Sequence, residues 1–448
     1  MRALILFSSL VLAVFQATSS WGAGLTRLTS FSTETKIKGG FTAVAGQLYF
    51  TAEKGGTNNL GYIGRLNPVD GSITEVFSFT TDAKPKGGLL PVGQQLYFLC
   101  EKGSATSGFG WIGRFDPATA TMTEVYAYGS DVKPKSGLVR AGDDLCFATE
   151  KGGATGTGSV ERFRADGTVA TVANLSPAEG IKVESLIYDE SSNSVYLGAR
   201  EGGDLTQLAG KGAGSLMKVS LTSGTLTTLA NLGTAEHGAK IRGLHQHDGR
   251  LWFICEEGGD LSLNSGKGGG TVVSFDPLTA TLTRVHVFDG LTAGLKPKGS
   301  LRVGKALYLA TEQGGSTGLG AFSVLENGMV SLLADFDSEI GAKPDHFLSL
   351  FEDRILIPTE LGTPGFLGGI AAYELPTVAV IPPLHLEITA NQTILSWPSA
   401  ATQAFQLERS AELNGTSWHS VDPVRTRVGD RVQVILGQEL PVGFFRLR

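Results

Sequence analysis

The chain has few of the residues that lock or metallate small exported proteins: its 448 residues include three cysteines, seven histidines and four methionines. An odd cysteine count excludes a fully paired disulfide framework. Cys100 and Cys255 occupy the same slot of an internal repeat, and Cys146 stands where the first copy has Tyr49. Slots in different copies are held apart, so all three read as small buried apolar side chains. Charge is also sparse, 18% of residues with a formal net charge of −6, which argues against a nucleic-acid-binding surface. Long apolar runs are missing after the opening MRALILFSSLVLAVFQATSSWGAG. Its apolar stretch, Ala3 to Phe15, falls short of the ~20 residues needed to cross a bilayer. Residues 1–22 therefore read as a secretory signal peptide, cut between Ser19 and Ala23. The mature chain is expected to be exported, soluble and monomeric, with no membrane-spanning segment. Its destination (extracellular, cell-surface or periplasmic) is left open.

Glycine, at 61 residues, is what the chain has in abundance. Seven times a short apolar strand ends in a charged residue and runs into a Gly-rich loop: LYFTAEKGG, LYFLCEKGS, LCFATEKGG, VYLGAREGG, LWFICEEGG, LYLATEQGG and ILIPTELGT. One reference slot holds Glu53, Glu101, Glu150, Arg200, Glu256, Glu312 and Glu360, in steps of 48 to 56 residues. A β-type repeat of that period predicts an array of small sheets. Copy two shows the unit: Leu89–Val92, Leu96–Glu101, Trp111–Phe115 and Met122–Tyr128 alternate as four strands separated by turn residues. Seven such units predict an all-β fold, a seven-bladed β-propeller over residues 24–375. Copy seven has three strands (His346–Phe351, Arg354–Glu360, Gly369–Leu375) and then Pro376. The segment Leu25–Phe31 matches the fourth strand of copy five, Leu282–Phe288, so the N-terminal segment is expected to complete the last blade and close the ring.

The pattern Gly-Leu, Leu-Tyr-Phe/Leu, then Gly-Gly and a short apolar strand resembles the GloVer tandem repeat of exported bacterial proteins. The double Gly also resembles Kelch blades, without their later Trp, and no Trp-Asp pair marks WD40 blades. This resemblance implies an exported propeller and supplies no catalytic residues. Residues 376–383, rich in Pro and Val, read as a linker. Residues 384–448 lose the period and break into six short predicted strands, a small β-sandwich. The pieces LSWP, FQLERS and FFRLR resemble fibronectin-III-like terminal modules. Trp397 and Trp418 read as core residues of that module.

In a propeller, the loops entering strand one and those leaving strand two share one end. The reference Glu slots and a Lys-x-Lys motif therefore belong to one rim. Its first position holds Lys36, Lys84, Lys133, Lys240, Lys296 and Lys343; its third holds Lys38, Lys86, Lys135, Arg242, Lys298 and Asp345. Copy four reads as breaking both patterns together: Ile181 and Val183 take the cation positions, Arg200 replaces Glu, and Glu184 appears nearby. A joint change suggests that the slots touch electrostatically. Three readings stay open: structural cation–carboxylate pairs, an ionic ring that binds a polar ligand, or catalytic carboxylates of a hydrolytic propeller.

Copies four and five depart most from the repeat. Their longer loops share Glu-Gly-Gly-Asp-Leu and Gly-Lys-Gly, and bring Asp204, Lys211, Asp260, Asn264 and Lys267 to adjacent lips, with Arg200 and Glu256 behind. Loops on rigid scaffolds concentrate recognition residues, which makes these seven the candidate ligand site. Calcium lacks an Asp-x-Asp-x-Asp series, and His245 with His247 lacks a third metal ligand. Gly210-Lys211-Gly212 lacks the hydroxyl residue of a phosphate loop, and no Gly-x-Ser-x-Gly nucleophile elbow is present. Trp111 and Tyr62 share a slot expected to pack in the core. No catalytic residue, metal or cofactor is assigned. The pattern fits a non-enzymatic binding or scaffold protein with a protein or glycan ligand, the alternatives being a carbohydrate-active or other hydrolytic propeller and a purely structural envelope component.

Overall fold

The computed structural model describes residues 24–345, 347–362, 365 and 367–376, and strand segments between 385 and 447. The expected signal peptide, the linker beyond Pro376 and the side chains of Trp397 and Trp418 lie outside the described residues. Residues 23–375 gather into one compact unit and residues 376–448 belong to another.

The larger unit is a seven-bladed β-propeller: seven antiparallel sheets, in six of which the strands run in chain order from the axis outwards. Blade 2 shows why the sequence folds this way. Pro85–Val92, Gln95–Cys100, Trp111–Asp116 and Thr121–Ala127 are its strands. Their alternating apolar residues face neighbouring blades, and Gly93 at φ 60° turns strand one into strand two. Apolar faces pair between blades, so the core is seven clusters, one at each junction. Cys100, Cys146 and Cys255 are buried in three of them, and burial pushes the Cys146 and Cys255 thiols up to about 12. Trp111 and Tyr62 are buried in the first two clusters along the chain, as expected.

Closure is direct. Thr26–Ser30 pairs antiparallel with Gly369–Glu374, so the start of the propeller supplies the outermost strand of blade 7. A recurring bond marks the same slot in every blade. The amide after strand four donates to the glycine carbonyl before strand three: Phe79 to Gly61 at 3.0 Å, Tyr128 to Gly110 at 3.0 Å, Phe288 to Gly270 at 3.1 Å, and in blade 7 Phe31 to Gly368 at 3.1 Å. Phe31 and Gly368 are far apart in sequence yet make the bond that other blades make locally.

In the smaller unit, His385–Ile388, Thr393–Pro398, Arg431–Leu436 and Arg425–Val428 form one sheet in that order, and His419–Ser420, Leu407–Ser410 and Phe444–Leu447 form a second. Arg425–Val428 is a strand the sequence pattern missed. Leu395, Leu407 and Val434 are buried.

Candidate functional site

The ionic slots sit where each inner strand begins. Lys84, Lys133, Lys182, Lys240, Lys296 and Lys343 share a left-handed backbone, with φ between 48° and 65°. This signature corrects the reading of copy four. Lys182, not Ile181, fills the first position, and Glu184, not Val183, fills the third. Val183 is a core residue between blades 3 and 4, and Ile181 packs against the same cluster. Blade 4 therefore keeps its first lysine and exchanges the other two charges, with a carboxylate where others have a cation and Arg200 where others have Glu.

The remaining slots touch. Lys86 of blade 2 lies 2.5 Å from Glu53 of blade 1 and 3.8 Å from Glu101 of its own blade. Lys298 of blade 6 joins Glu256 of blade 5 at 2.8 Å to Glu312 at 3.0 Å. Lys38 of blade 1 reaches Asp345 at 2.6 Å and Glu360 at 2.9 Å in blade 7. Between blades 4 and 5 the exchanged charges make a closed square. Arg200 pairs with Glu184 at 3.0 Å and Glu256 at 2.9 Å, and Arg242 pairs with the same two carboxylates at 2.7 Å each. Such pairs contribute ~0–1 kcal/mol when exposed, and losing one partner of a buried pair costs several times more. Arg242 and Glu256 are both buried.

The electrostatics follow from the contacts. Burial alone would raise the Glu256 carboxyl, but Arg242, Lys298 and Arg200 outweigh it and hold the group well below the usual carboxylate range. Burial alone would lower the Lys38 ammonium, yet Asp345 and Glu360 raise it. Glu256 is thus engaged by three cations that favour its ionised form.

Under the charges, backbones close on one another. A Cβ on Gly39 would overlap Gly88 of the next blade, and one on Gly87 would overlap the Ser136 carbonyl. Gly87 donates its amide to the Lys38 carbonyl at 3.1 Å. The glycine after the third-position cation is therefore a close-approach residue. The sequence signal was visible, as in Lys-Pro-Lys-Gly-Gly, but its cause was not.

A polar recess opens between blades 3 and 4, lined by Lys135, Glu150, Lys182, Val183, Glu184 and Arg200. Lys135 pairs with Glu150 at 2.7 Å and Lys182 with Glu201 at 2.8 Å. Sequence reasoning missed Lys135, Glu150, Lys182 and Glu184 as a group because it put copy four out of register.

The seven predicted site residues divide into two sets. Arg200 and Glu256 meet in the ionic square. Asp204 and Asp260 instead organise their own loops: Asp204 accepts from Thr206 N and Oγ1 at 2.9 and 2.6 Å, and Asp260 from Ser262 N and Oγ at 2.9 and 2.7 Å. Asn264 donates to the Gly268 carbonyl at 3.2 Å. Lys211 and Lys267 are exposed, and their carbonyls accept from Gly202 and Gly258. The two loops thus share their Asp turns and backbone bonds, while Asn264 has Leu208 at its place in the other loop, and each presents an exposed leucine, Leu205 and Leu261. His245 and His247 go to different partners: His245 Nε2 lies 2.8 Å from Ser300 Oγ, with burial lowering its pKa to about 4, and His247 faces Asp248 at 3.2 Å. Among the described residues no group of three or more His, Cys, Asp or Glu is placed to hold a metal, and no helix is long and apolar enough to cross a membrane.

No protein-family model and no curated protein matches the chain. Solved structures match in fold. The extracellular domain of a one-component system from B. thetaiotaomicron superposes with a TM-score of 0.53 at 10% identity over 86% of this chain, which spans about half, 47%, of that domain. Oligogalacturonate lyase from Vibrio parahaemolyticus gives 0.53 at 12% identity, covering 79% of this chain and 94% of the lyase. The GH74 enzyme of Niastella koreensis gives 0.53 at 13%, covering 84% and 59%. Identities this low carry architecture and no chemistry, so the chain is similar to these proteins in its β-propeller fold.

Proposed function

We propose that this is an exported, non-enzymatic binding or scaffold protein that recognises a protein or glycan on the loop end of its propeller, near blades 4 and 5. The observation that carries this reading is the commitment of the rim carboxylates to cations. A glycosidase needs one carboxyl kept protonated beside an ionised partner about 5–10 Å away. Glu256 lies against Arg200, Arg242 and Lys298, which favours the ionised form and leaves it no proton to give. Equivalent Glu residues in other blades are also held by cations. Recognition then belongs to the two paired loops, whose Asp204 and Asp260 turns fix Lys211, Lys267, Leu205 and Leu261 at the surface.

Export rests on the N-terminal sequence pattern and on the GloVer-like repeat. The C-terminal unit, residues 384–448 after a linker, reads as a fibronectin-III-like module. With its described strands lettered A to G in chain order, the two sheets run A-B-F-E and D-C-G, two antiparallel sheets as in a sandwich.

The test is a glycan array and a pull-down with the mature chain, repeated with residues 204–211 and 260–267 each replaced by a short Gly-Ser turn. Capture of a ligand that is lost with the loops, at unchanged melting temperature, supports the reading. Failure of both assays to find a partner, or turnover of a glycan by the intact protein, sinks it.

A further inference from the structure

The recess between blades 3 and 4 differs from the rest of the rim. Across the first, third and reference slots of seven blades, cations outnumber carboxylates thirteen to eight, so the centre of this end attracts anions although the chain is acidic overall. Elsewhere a carboxylate occupies the reference slot. In blade 4 it is Arg200, and its Nε is buried without a hydrogen-bond partner. Lys135 and Lys182 flank it, each half-buried. Three cations therefore line a recess whose other charged walls are Glu150 and Glu184, with Lys135 paired to Glu150, Lys182 to Glu201 and Arg200 to Glu184 and Glu256.

We propose that this recess binds the carboxylate of a uronic-acid unit in an acidic glycan. The inference rests on the binding-protein reading above and adds to it a second site, separate from the two long loops, with its own ligand class. A carboxylate meets Lys135, Lys182 and Arg200 with charge-assisted hydrogen bonds, the strong class of such contacts. Glu150 and Glu184 would repel a bare anion, but they accept from the hydroxyls that a uronic acid carries beside its carboxylate. An acidic peptide brings the carboxylate without those hydroxyls, and a neutral sugar brings hydroxyls alone.

The experiment is calorimetric titration of the mature chain with an oligoglucuronate, the matching neutral glucose oligomer and a poly-glutamate peptide. The expected result is saturable binding of the oligoglucuronate, with the neutral oligomer and peptide at least about tenfold weaker. Lys182→Gln and Arg200→Lys should each weaken oligoglucuronate binding at least about tenfold, whereas Lys296→Gln on blade 6 should leave it unchanged. Lys182→Gln removes one half-buried pair with Glu201 at the rim and is expected to fold. Equal binding of the neutral oligomer or the peptide overturns the proposal, as does indifference to Lys182→Gln. No oligoglucuronate binding also overturns it. If array or pull-down partners still bind through the two long loops, only this inference fails; if they too are absent, the binding-protein reading fails with it.

Discussion

Reversing Arg200 to Glu sets a carboxylate among Glu184 and Glu256, which now lie 3.0 and 2.9 Å from the guanidinium. These side chains are 21%, 17% and 9% exposed, so water screens them poorly. At ~4 Å and an effective dielectric of ~20, each unit-charge contact is worth about 4 kcal/mol before desolvation and rearrangement. Breaking a buried pair measures ~3–5 kcal/mol. Arg200→Glu should therefore cost about 3–5 kcal/mol. The double variant Glu184→Lys/Arg200→Glu gives blade 4 the polarity of its neighbours: Arg242 can turn to the new carboxylate at position 200 as Lys298 does to Glu256. It should recover most of that loss. In differential scanning calorimetry of the propeller transition, a unit of this size shifts by about 1–2 °C per kcal/mol. The single variant should fall by about 4–8 °C and the double by less than half of that. Additive losses, or a single variant within about 1 °C of wild type, would refute the electrostatic register.

Acid should weaken the same cluster in a defined direction. Glu256 titrates below its ordinary 4.5 in the folded protein, so its stabilisation is present above that value and fades as pH falls through it towards the lower folded value. The melting-temperature gap between wild type and Glu256→Gln should accordingly narrow between about pH 6 and about pH 3; a constant gap contradicts the assignment. Gly39→Ala should destabilise by about 2–4 kcal/mol, because the new methyl meets the Gly88 backbone. Gly129→Ala, with open space around its Cα, should stay within about 0.5 kcal/mol in the same denaturation series. Removing residues 24–32 takes away the outer strand of blade 7 and the Phe31 anchor. It should lower the propeller melting temperature, and an unchanged value would show that the ring closes without them. The buried thiols of Cys100, Cys146 and Cys255 should resist a disulfide-exchange reagent until the protein unfolds; rapid native labelling would contradict their burial.

Blade number, strand order and closure were legible because they follow from repetition. A strand pattern repeated seven times averages out local noise, and the match between residues 25–31 and 282–288 pointed to the borrowed strand. The cross-blade ion pairs were partly legible, since the charges changed together in copy four. Register at that copy was not. Ile181-Lys182-Val183-Glu184 lacks the proline of copies two, three, six and seven and the glycine that follows the third position in copies one, two, five and six, and only backbone φ shows that Lys182 keeps the left-handed place of Lys84 and Lys240. The glycine collar was hidden for another reason. Gly39 and Gly88 meet across blades, and a contact between backbones leaves no pattern in side-chain chemistry. Asp204 and Asp260 read as ligand-facing because Asp is common in both turns and sites. The bonds to Thr206 and Ser262 show the first use.

The exchange in blade 4 explains why the recess lies where it does. In a ring where the cation of one blade reaches the acid of the blade before it, inverting a single blade must create two unlike junctions. On one side Arg200 faces Arg242, cation against cation. That conflict is resolved by interleaving Glu184 and Glu256, which makes the closed square. On the other side Glu150 faces Glu184, acid against acid, and the square has already taken Glu184 towards blade 5. Lys135 stays with Glu150 in its own blade at 2.7 Å, so it does not replace the missing third-position cation of blade 4. A symmetric ring would have filled this gap with a bridging lysine. The inverted blade leaves it open beside Arg200, so Glu184→Lys/Arg200→Glu should preserve the propeller while abolishing oligoglucuronate binding. Retained binding in that folded double variant would separate the recess from the charge inversion and remove its cause.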